Sequence, residues 1–310
     1  MLIKKELLSL LGKFFKLNSL SKESVCMQIS KRGLSIASAK VKPVLQILNC
    51  QYFKGDLKVQ QNSLSAFVVH NQLRHADCYV VLSLEDYRLV LIEKPKVADN
   101  EIGESVRWLI KDLIDFPIEE AVVDFFPAPM QVGQSAKIYV VVTHLQWLNT
   151  IASMVKAAGL NLKAVNIAAL AIRNVLNSLH IMGNSVVFLT QEGEYYYILV
   201  VKDQLIYLER KLEFSSQGEL NTQIFEDFCN RLVAELQRSI EFYQTRDKSI
   251  PIKFFLDQLL GQNQKLIQFI ETAFNLRVEI LDTSNWLNNK EIPLSDKINY
   301  LSIIGEALEL

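Results

Sequence analysis

Residues 93–124, E-K-P-K-V-A-D-N-E-I-G-E-S-V-R-W-L-I-K-D-L-I-D-F-P-I-E-E-A-V-V-D, combine local signals in an unusual order. A strand ends at Pro95, because proline lacks a backbone donor and disfavours helix in the residue before it. An amphipathic helix is expected to open near Asp99 and to stop at Phe116-Pro117, with a second strand from Ala121 to Phe126. Ile102, Val106, Leu109, Ile110 and Leu113 recur at spacings of three and four, which predicts one buried stripe. Trp108 falls off that stripe, beside Ser105 and Asp112. It either lies under a neighbouring loop or stands exposed as an aromatic anchor for a partner.

Outside this stretch the chain repeats itself. Val25–Ile29, Leu34–Ala39 and Val44–Phe53 read as three short strands, followed by a helix from Asp56 to Leu73. Val186–Leu189, Tyr195–Val201 and Leu205–Leu208 repeat that order, followed by a long helix from Asn221 to Tyr243. A three-strand meander followed by a helix, occurring twice, implies two similar α/β halves. The strands Cys78–Leu84 and Leu162–Asn166 would complete the first half. The unit Ile252–Leu256, Gln264–Phe274 and Val278–Leu281, with a last helix from Ser295 to Leu308, would complete the second. The resulting division is an N-terminal segment 1–23, a first half 24–84 with 161–182, an insertion 85–160, and a second half 183–310.

Composition narrows the function classes. A chain of 310 residues can bury a substantial core without metals or disulfides. With 33 basic against 34 acidic residues, and no basic run interleaved with aromatics, nothing points to nucleic acid. Cys26, Cys50, Cys78 and Cys229 show neither metal-site nor disulfide-framework spacing, so they read as reduced, mostly buried thiols. The apolar run from Ile138 to Val155 is broken by polar residues and reads as a strand and helix, not a membrane span. In M-L-I-K-K-E-L-L-S-L-L-G-K-F-F-K-L, Ile3, Leu7, Leu10, Leu11 and Phe14 share a helical face, with Lys5, Lys13 and Lys16 opposite. Residues 1–17 therefore suit an anionic membrane surface, or packing on their own domain or on a second copy.

The block E-K-P followed by R-W-x-x-K-D-L-I-D-F-P-x-E-E-A-V-x-D resembles the inserted subdomain of the PilM family, the cytoplasmic actin-like proteins of type IV pilus assembly. Within that family it is most similar to the MshI branch, associated with mannose-sensitive haemagglutinin (MSHA) pili, and a fainter resemblance runs from Ser24 to Leu310. The resemblance implies an α/β, actin-like (ribonuclease H-like) two-half fold with an inserted small α+β (SHS2-like) subdomain. It implies a protein peripheral to the cytoplasmic face of the inner membrane that binds the tail of a PilN-like membrane protein, with Trp108, Phe116 and Pro117 as the partner-binding residues. Homo-oligomerisation is compatible with it. The type II secretion protein GspL has a similar cytoplasmic region that continues into a transmembrane helix, whereas this chain reads as a separate soluble subunit. The division protein FtsA offers another reading, a membrane-docking polymer protein.

An ATP-binding member of this fold needs two turns in which glycine lets backbone N–H groups reach phosphate, each beside an acid that holds magnesium through water. The resemblance aligns the first turn, I-D-I-G-S-S-S-V-K in PilM-type proteins, with M-Q-I-S-K-R-G-L-S. That places Gln28 at the aspartate, Ser30 at the glycine and Ser35 at the lysine. At the second turn it places Thr190 at the aspartate and Glu192 at the glycine, unless the register slips to offer Glu194. A carboxylate facing a triphosphate near 4 Å is repulsive by about 1 kcal/mol per charge pair in water and about 4 kcal/mol at an effective dielectric of 20. The family's G-G-G near the adenosine is replaced around Asp257 and Gln258. The helix E-L-Q-R-S-I-E-F-Y keeps Glu235, Arg238 and Ser239, where Glu235 and Arg238 also make an ordinary i,i+3 pair. These changes predict a degenerate pocket, no bound cofactor and no enzymatic turnover. A nucleotide-binding switch or weak ATPase using ATP and magnesium is the alternative.

Other chemistries find little support. His70, His75, Asp77 and Cys78 cluster in sequence without a recognised ligand spacing. No nucleophile elbow, phosphate-binding Walker loop or dinucleotide fingerprint occurs. Glu119-Glu120 reads as a solvated pair before a strand, and Tyr195-Tyr196-Tyr197 as residues alternating across a sheet. The terminal I-I-G-E-A-L pattern resembles the last helix of PilM-type proteins, with Gly305 at the glycine position and Glu309 replacing the final arginine.

Overall fold

The computed structural model describes residues 23–40, 46–130, 133, 135–179, 185–214, 222–247, 253–287 and 300–310. The amphipathic stretch 1–17 and the expected helix start at 295–299 lie outside them. The described residues divide into two compact units, one within 23–172, 285–287 and 300–310, the other within 173–284.

In the first unit, β1 (Ser24–Ile29), β2 (Gly33–Lys40) and β3 (Gln46–Lys54) form the expected meander, followed by α1 (Leu57–His70). Asp56 starts α1 by accepting a hydrogen bond from Val59 N at 2.9 Å, satisfying one of the first-turn donors. β4 (Asp77–Leu82) then pairs parallel with β1, and β8 (Asn161–Ile167) pairs parallel with β4. The sheet order is β3-β2-β1-β4-β8. α4 (Ala168–Ser178) follows β8 and carries the chain out of the unit.

The second unit repeats the plan. β9 (Val186–Glu192), β10 (Tyr195–Lys202) and β11 (Leu205–Glu213) form a meander and lead into α5 (Thr222–Arg246). β12 (Lys253–Leu256), α6 (Gln264–Phe274) and β13 (Val278–Ile280) complete a sheet ordered β11-β10-β9-β12-β13, the same order as in the first unit. Val187, Leu189, Ile198, Val200, Leu232 and Leu236 are among the residues of its core, where apolar side chains from one sheet face meet α5 and α6.

Between β4 and β8 lie β5 (Arg88–Glu93), α2 (Ile102–Ile110), β6 (Ala121–Pro127), β7 (Lys137–His144) and α3 (Leu145–Ala157). The three strands make a separate antiparallel sheet ordered β5-β7-β6, covered by α2 through Ile102, Val106 and Ile110. The sequence division at 85–160 groups α3 with this small sheet. In the structure α3 also packs on β8, and Gln61 Nε2 of α1 donates to Met154 O at 3.4 Å. α3 thus stands between β4 and β8 as α6 stands between β12 and β13.

Two other expectations are revised. Leu109 and Leu113, assigned to the buried stripe, are each 51% exposed: Leu109 lies at the edge of the face of α2 that meets the sheet, and Leu113 lies beyond the helix, which ends at Ile110. The last helix, α7 (Leu301–Ala307), belongs with the first unit although the sequence division gave 183–310 to the second half. A Cβ on Gly305 would sit 1.9 Å from Ala171 O of α4, so only glycine permits this approach. No described helix is long and apolar enough to cross a membrane.

Candidate functional site

The first turn expected to hold phosphate is the connection between β1 and β2, and its polar groups are turned on one another. Ser30 N donates to Gly33 O at 3.0 Å, Ser30 Oγ donates to the same oxygen at 3.2 Å, and Arg32 N donates to Ser30 Oγ at 3.3 Å. Tyr52 on β3 covers the turn: its hydroxyl donates to Arg32 O at 3.4 Å, and a Cβ on Gly33 would meet Tyr52 ring and hydroxyl atoms at 2.8 Å. From the other side, buried Gln60 of α1 donates through Nε2 to Ser30 O at 2.9 Å and Gly55 O at 2.8 Å. Arg32 pairs with Glu85 at 3.0 Å. Gln28 and Ser35 are directly opposed across β1 and β2, and both are buried. A phosphate would need N–H groups that this turn already uses internally.

The second turn joins β9 to β10. Glu192 and Tyr195 are paired, which leaves Gly193 and Glu194 as the two central residues. A glycine therefore does occupy this turn, one place beyond the position given to Glu192. Glu192 is the last residue of β9 and half-buried, whereas Glu194 is exposed at the tip. Asp257, at the end of β12 and 2% exposed, reaches across: its Oδ2 accepts from Gln191 N at 2.9 Å and its Oδ1 from Leu260 N at 2.8 Å. Burial pushes the Asp257 carboxyl above the usual carboxylate range, while these N–H groups, the buried Thr190 hydroxyl and Leu259 N pull it back. Gln258 Nε2 donates to Asp282 Oδ1 at 2.6 Å, and Gln258 Oε1 accepts from Thr283 Oγ1 at 3.2 Å. This segment, which the resemblance sets against three glycines, is thus hydrogen-bonded at the end of the sheet and followed by a short 3-10 helix at Leu260–Gln262.

The retained helix motif has a structural role as well. Arg238 pairs with Glu235, whose other oxygen lies 3.5 Å from Arg210 Nη1 of β11. Buried Ser239 donates from Oγ to Glu235 O at 2.7 Å and accepts from Arg210 Nη1 at 3.4 Å. The motif therefore ties α5 to β11.

On the small sheet, Trp108 is 66% exposed and is not covered by a neighbouring loop. Phe116 is half-buried and stacks on His144 with ring centroids 3.7 Å apart, and Pro117 is exposed beside it. Arg107 anchors this corner by donating to Ile118 O at 2.8 Å and Ala121 O at 3.2 Å. Glu119 and Glu120 are exposed in a short 3-10 helix. Trp108, Phe116 and Pro117 thus belong to one subdomain, with Phe116 partly consumed by His144.

Among the described residues, no three or more His, Cys, Asp or Glu side chains converge as a metal cage. His70 and His75 are exposed, Cys78 is fully buried, and Asp77 pairs with Lys163 at 3.2 Å. All four cysteines are free, and burial raises the thiol of Cys229 to about 11. Tyr196 packs against Phe214 and Phe228 while Tyr197 is buried on the opposite face of β10.

One titratable group escaped the sequence reading. Glu306 on α7 is 4% exposed and accepts from Asn166 Nδ2 at 2.9 Å. Asn166 is fixed in that orientation because its Oδ1 accepts from Ile167 N at 2.9 Å. Burial raises Glu306 to about 7, only partly offset by Asn166. A glutamate in an apolar terminal helix, E-A-L after a glycine, was the available signal, but only the docking of α7 buries it.

No protein-family model matches the chain, and no curated protein does. Solved structures do match. The chain is similar over 93% of its length, and 98% of the other, to a structure described as the PilM-PilN type IV pilus biogenesis complex, with TM-score 0.75 and 16% identity. It is similar over 92% of its length, and 94% of the other, to the cytoplasmic domain of EpsL, an inner-membrane component of the type II secretion system of Vibrio cholerae, with TM-score 0.53 and 13% identity. A Bacteroides thetaiotaomicron protein of unknown function, described as having an actin-like ATPase fold, matches over 94% of this chain and 99% of that one, with TM-score 0.55 and 11% identity. At these identities the likeness establishes the fold, and the fold is actin-like.

Proposed function

We propose that the chain is a non-catalytic, PilM-like scaffold of a type IV pilus assembly platform, of the MSHA kind, that binds the cytoplasmic tail of a PilN-like inner-membrane protein. It would work at the cytoplasmic face of that membrane as a peripheral protein. The observation that supports the non-catalytic part is the internal hydrogen bonding of the β1–β2 turn and of the strand that enters the β9–β10 turn. Ser30 and Gly33 use the donors of the first, and Asp257 holds the N–H of Gln191 before the second. The pilus assignment is supported by the match to the PilM-PilN structure across nearly the whole length of both chains. The MSHA assignment rests on the resemblance of the block 93–124.

Titration calorimetry of the full chain with the N-terminal peptide of a PilN-like protein from an MSHA-type operon tests the reading. Binding is expected, and Trp108→Ala weakens it. No heat of binding, when a PilM control binds its own PilN peptide, removes the scaffold assignment.

A further inference from the structure

We propose that the end of the first sheet where β1, β4 and β8 begin is a basic face that lies against an anionic lipid bilayer. This deepens the peripheral-membrane part of the scaffold reading and rests on that part of it.

β1, β4 and β8 run parallel, with Ser24 beside Asp77 and Asp77 beside Asn161. α1 and α3 run back to this end and stop at His70 and Ala157. The loops that follow them are tied to each other: His75 N donates to Gly159 O at 2.7 Å, and Asn161 Nδ2 donates to His75 O at 2.6 Å. His70, Arg74, His75, Lys156 and Lys163 are exposed on the surface so formed, and Lys40 ends β2 one residue past Ala39, the partner of Ser24. The acids that these strand starts and loops contribute are Glu23 and Asp77, the latter paired with Lys163 at 3.2 Å. A base in the last turn of a helix answers its dipole, which accounts for His70 and Lys156. Arg74 and His75 lie beyond α1, and Lys163 is on β8, so that account does not reach them.

Acidic residues are missing from the whole layer. None occurs between Asp56 and Asp77, a stretch that holds α1 and its loop, and none between Asp124 and Glu192, which holds α3 and β8. In a chain of 33 bases and 34 acids, gaps of that length leave a locally positive surface. The two stretches adjoin in space, because Gln61 of α1 donates to Met154 O of α3 at 3.4 Å. At the other end of the sheet Arg32 pairs with Glu85 at 3.0 Å, and Asp56 stands between Lys54 and Lys58 in the chain.

What leads into the basic end selects its occupant. Residues 1–17 carry an apolar helical periodicity bounded by lysines, which suits an anionic bilayer. The five residues 18–22 span at most about 18 Å, so a bilayer that holds that segment also holds the start of β1 close by. Val69, 58% exposed beside His70, gives the basic face an apolar side chain of its own, which headgroup contact favours. Weak anchors become stable when two act together. A nucleic acid would satisfy the bases but leave the apolar side of residues 1–17 in water.

The test is sedimentation of the full chain with phosphatidylcholine vesicles that contain phosphatidylglycerol, at low salt. Binding is expected, absent with pure phosphatidylcholine and reduced by high salt. Arg74→Glu plus Lys156→Glu should weaken it at least about tenfold, whereas Lys54→Glu plus Lys58→Glu, the same charge change at the other end, should leave it within about twofold. Circular dichroism checks that both variants are folded. No vesicle binding by the intact chain overturns the proposal, and so does equal loss in both variants, which reports net charge alone. Binding unchanged by Arg74→Glu plus Lys156→Glu assigns membrane binding to residues 1–17 alone and overturns it too, as does a labelled DNA duplex that binds this face when vesicles do not. Calorimetry of the Arg74→Glu plus Lys156→Glu variant with the PilN-like peptide separates this proposal from the scaffold assignment. Peptide binding kept while vesicle binding is lost upholds both, and an intact chain that binds the peptide but no vesicles overturns this proposal alone.

Discussion

Asp257 Oδ2 accepts the backbone N–H of Gln191 at 2.9 Å, so a carboxylate from the end of β12 holds the strand that runs into the β9–β10 turn. The same side chain accepts from Leu260 N at 2.8 Å, which fixes the start of the following 3-10 helix. Removing it would leave buried donors without acceptors. Asp257→Ala is expected to cost about 1–3 kcal/mol, read as a lower urea midpoint with an unchanged m-value.

Nucleotide should leave stability unchanged. A pocket filled at 100 times its dissociation constant stabilises by about 2.7 kcal/mol, which for a chain of this size raises the melting temperature by roughly 4 °C. No shift is expected with millimolar magnesium-ATP. A shift of that size would restore the switch or weak ATPase reading.

Gly305→Ala tests the attachment of the last helix. The added methyl would stand 1.9 Å from Ala171 O, a backbone atom of α4 that cannot move alone. Overpacking of this kind costs about 1–3 kcal/mol or more. Hydrogen exchange should increase in residues 300–310 and in 168–172, and remain unchanged in β9–β12.

Glu306 predicts that stability falls as pH rises. Its folded value, about 7, is above the ordinary value, so the folded state holds a proton that the unfolded state has lost. The contribution of the protonated form is fully present below about pH 4 and is lost as pH rises through about 7. Glu306→Gln keeps an oxygen acceptor for Asn166 without the charge. It should raise the melting temperature at pH 8 by several degrees and change it little at pH 5. Asp86, raised to about 6 by burial, adds a slope of the same sign, so some pH dependence will persist in the variant.

The strand and helix order was legible because each element carries its own period and its own stop. Asp56 before α1, Asn263 before α6 and Pro95 after β5 are local signals, and the elements they bound stand where the sequence places them, within a few residues. The resemblance also implied altered residues at the two turns, although Gly193 stands in the second. What closes those turns was not visible. Tyr52 is 19 residues from Gly33, Gln60 is 30 residues from Ser30, and Asp257 is 66 residues from Gln191. Counting along a strand does not say which side chain from another strand arrives at its end.

By itself, then, the sequence determined the repeated meander, the inserted block and the periodicity of each helix, because propensity, patterning and capping act over a few residues. The tertiary structure decided which face of α2 is covered, that α7 packs on the first sheet, and that Glu306 is buried. Those outcomes depend on which surfaces distant elements bury against each other. Leu109 and Ile110 are neighbours in the chain and both apolar, yet one is 51% exposed and the other fully buried, because only Ile110 is turned onto the small sheet.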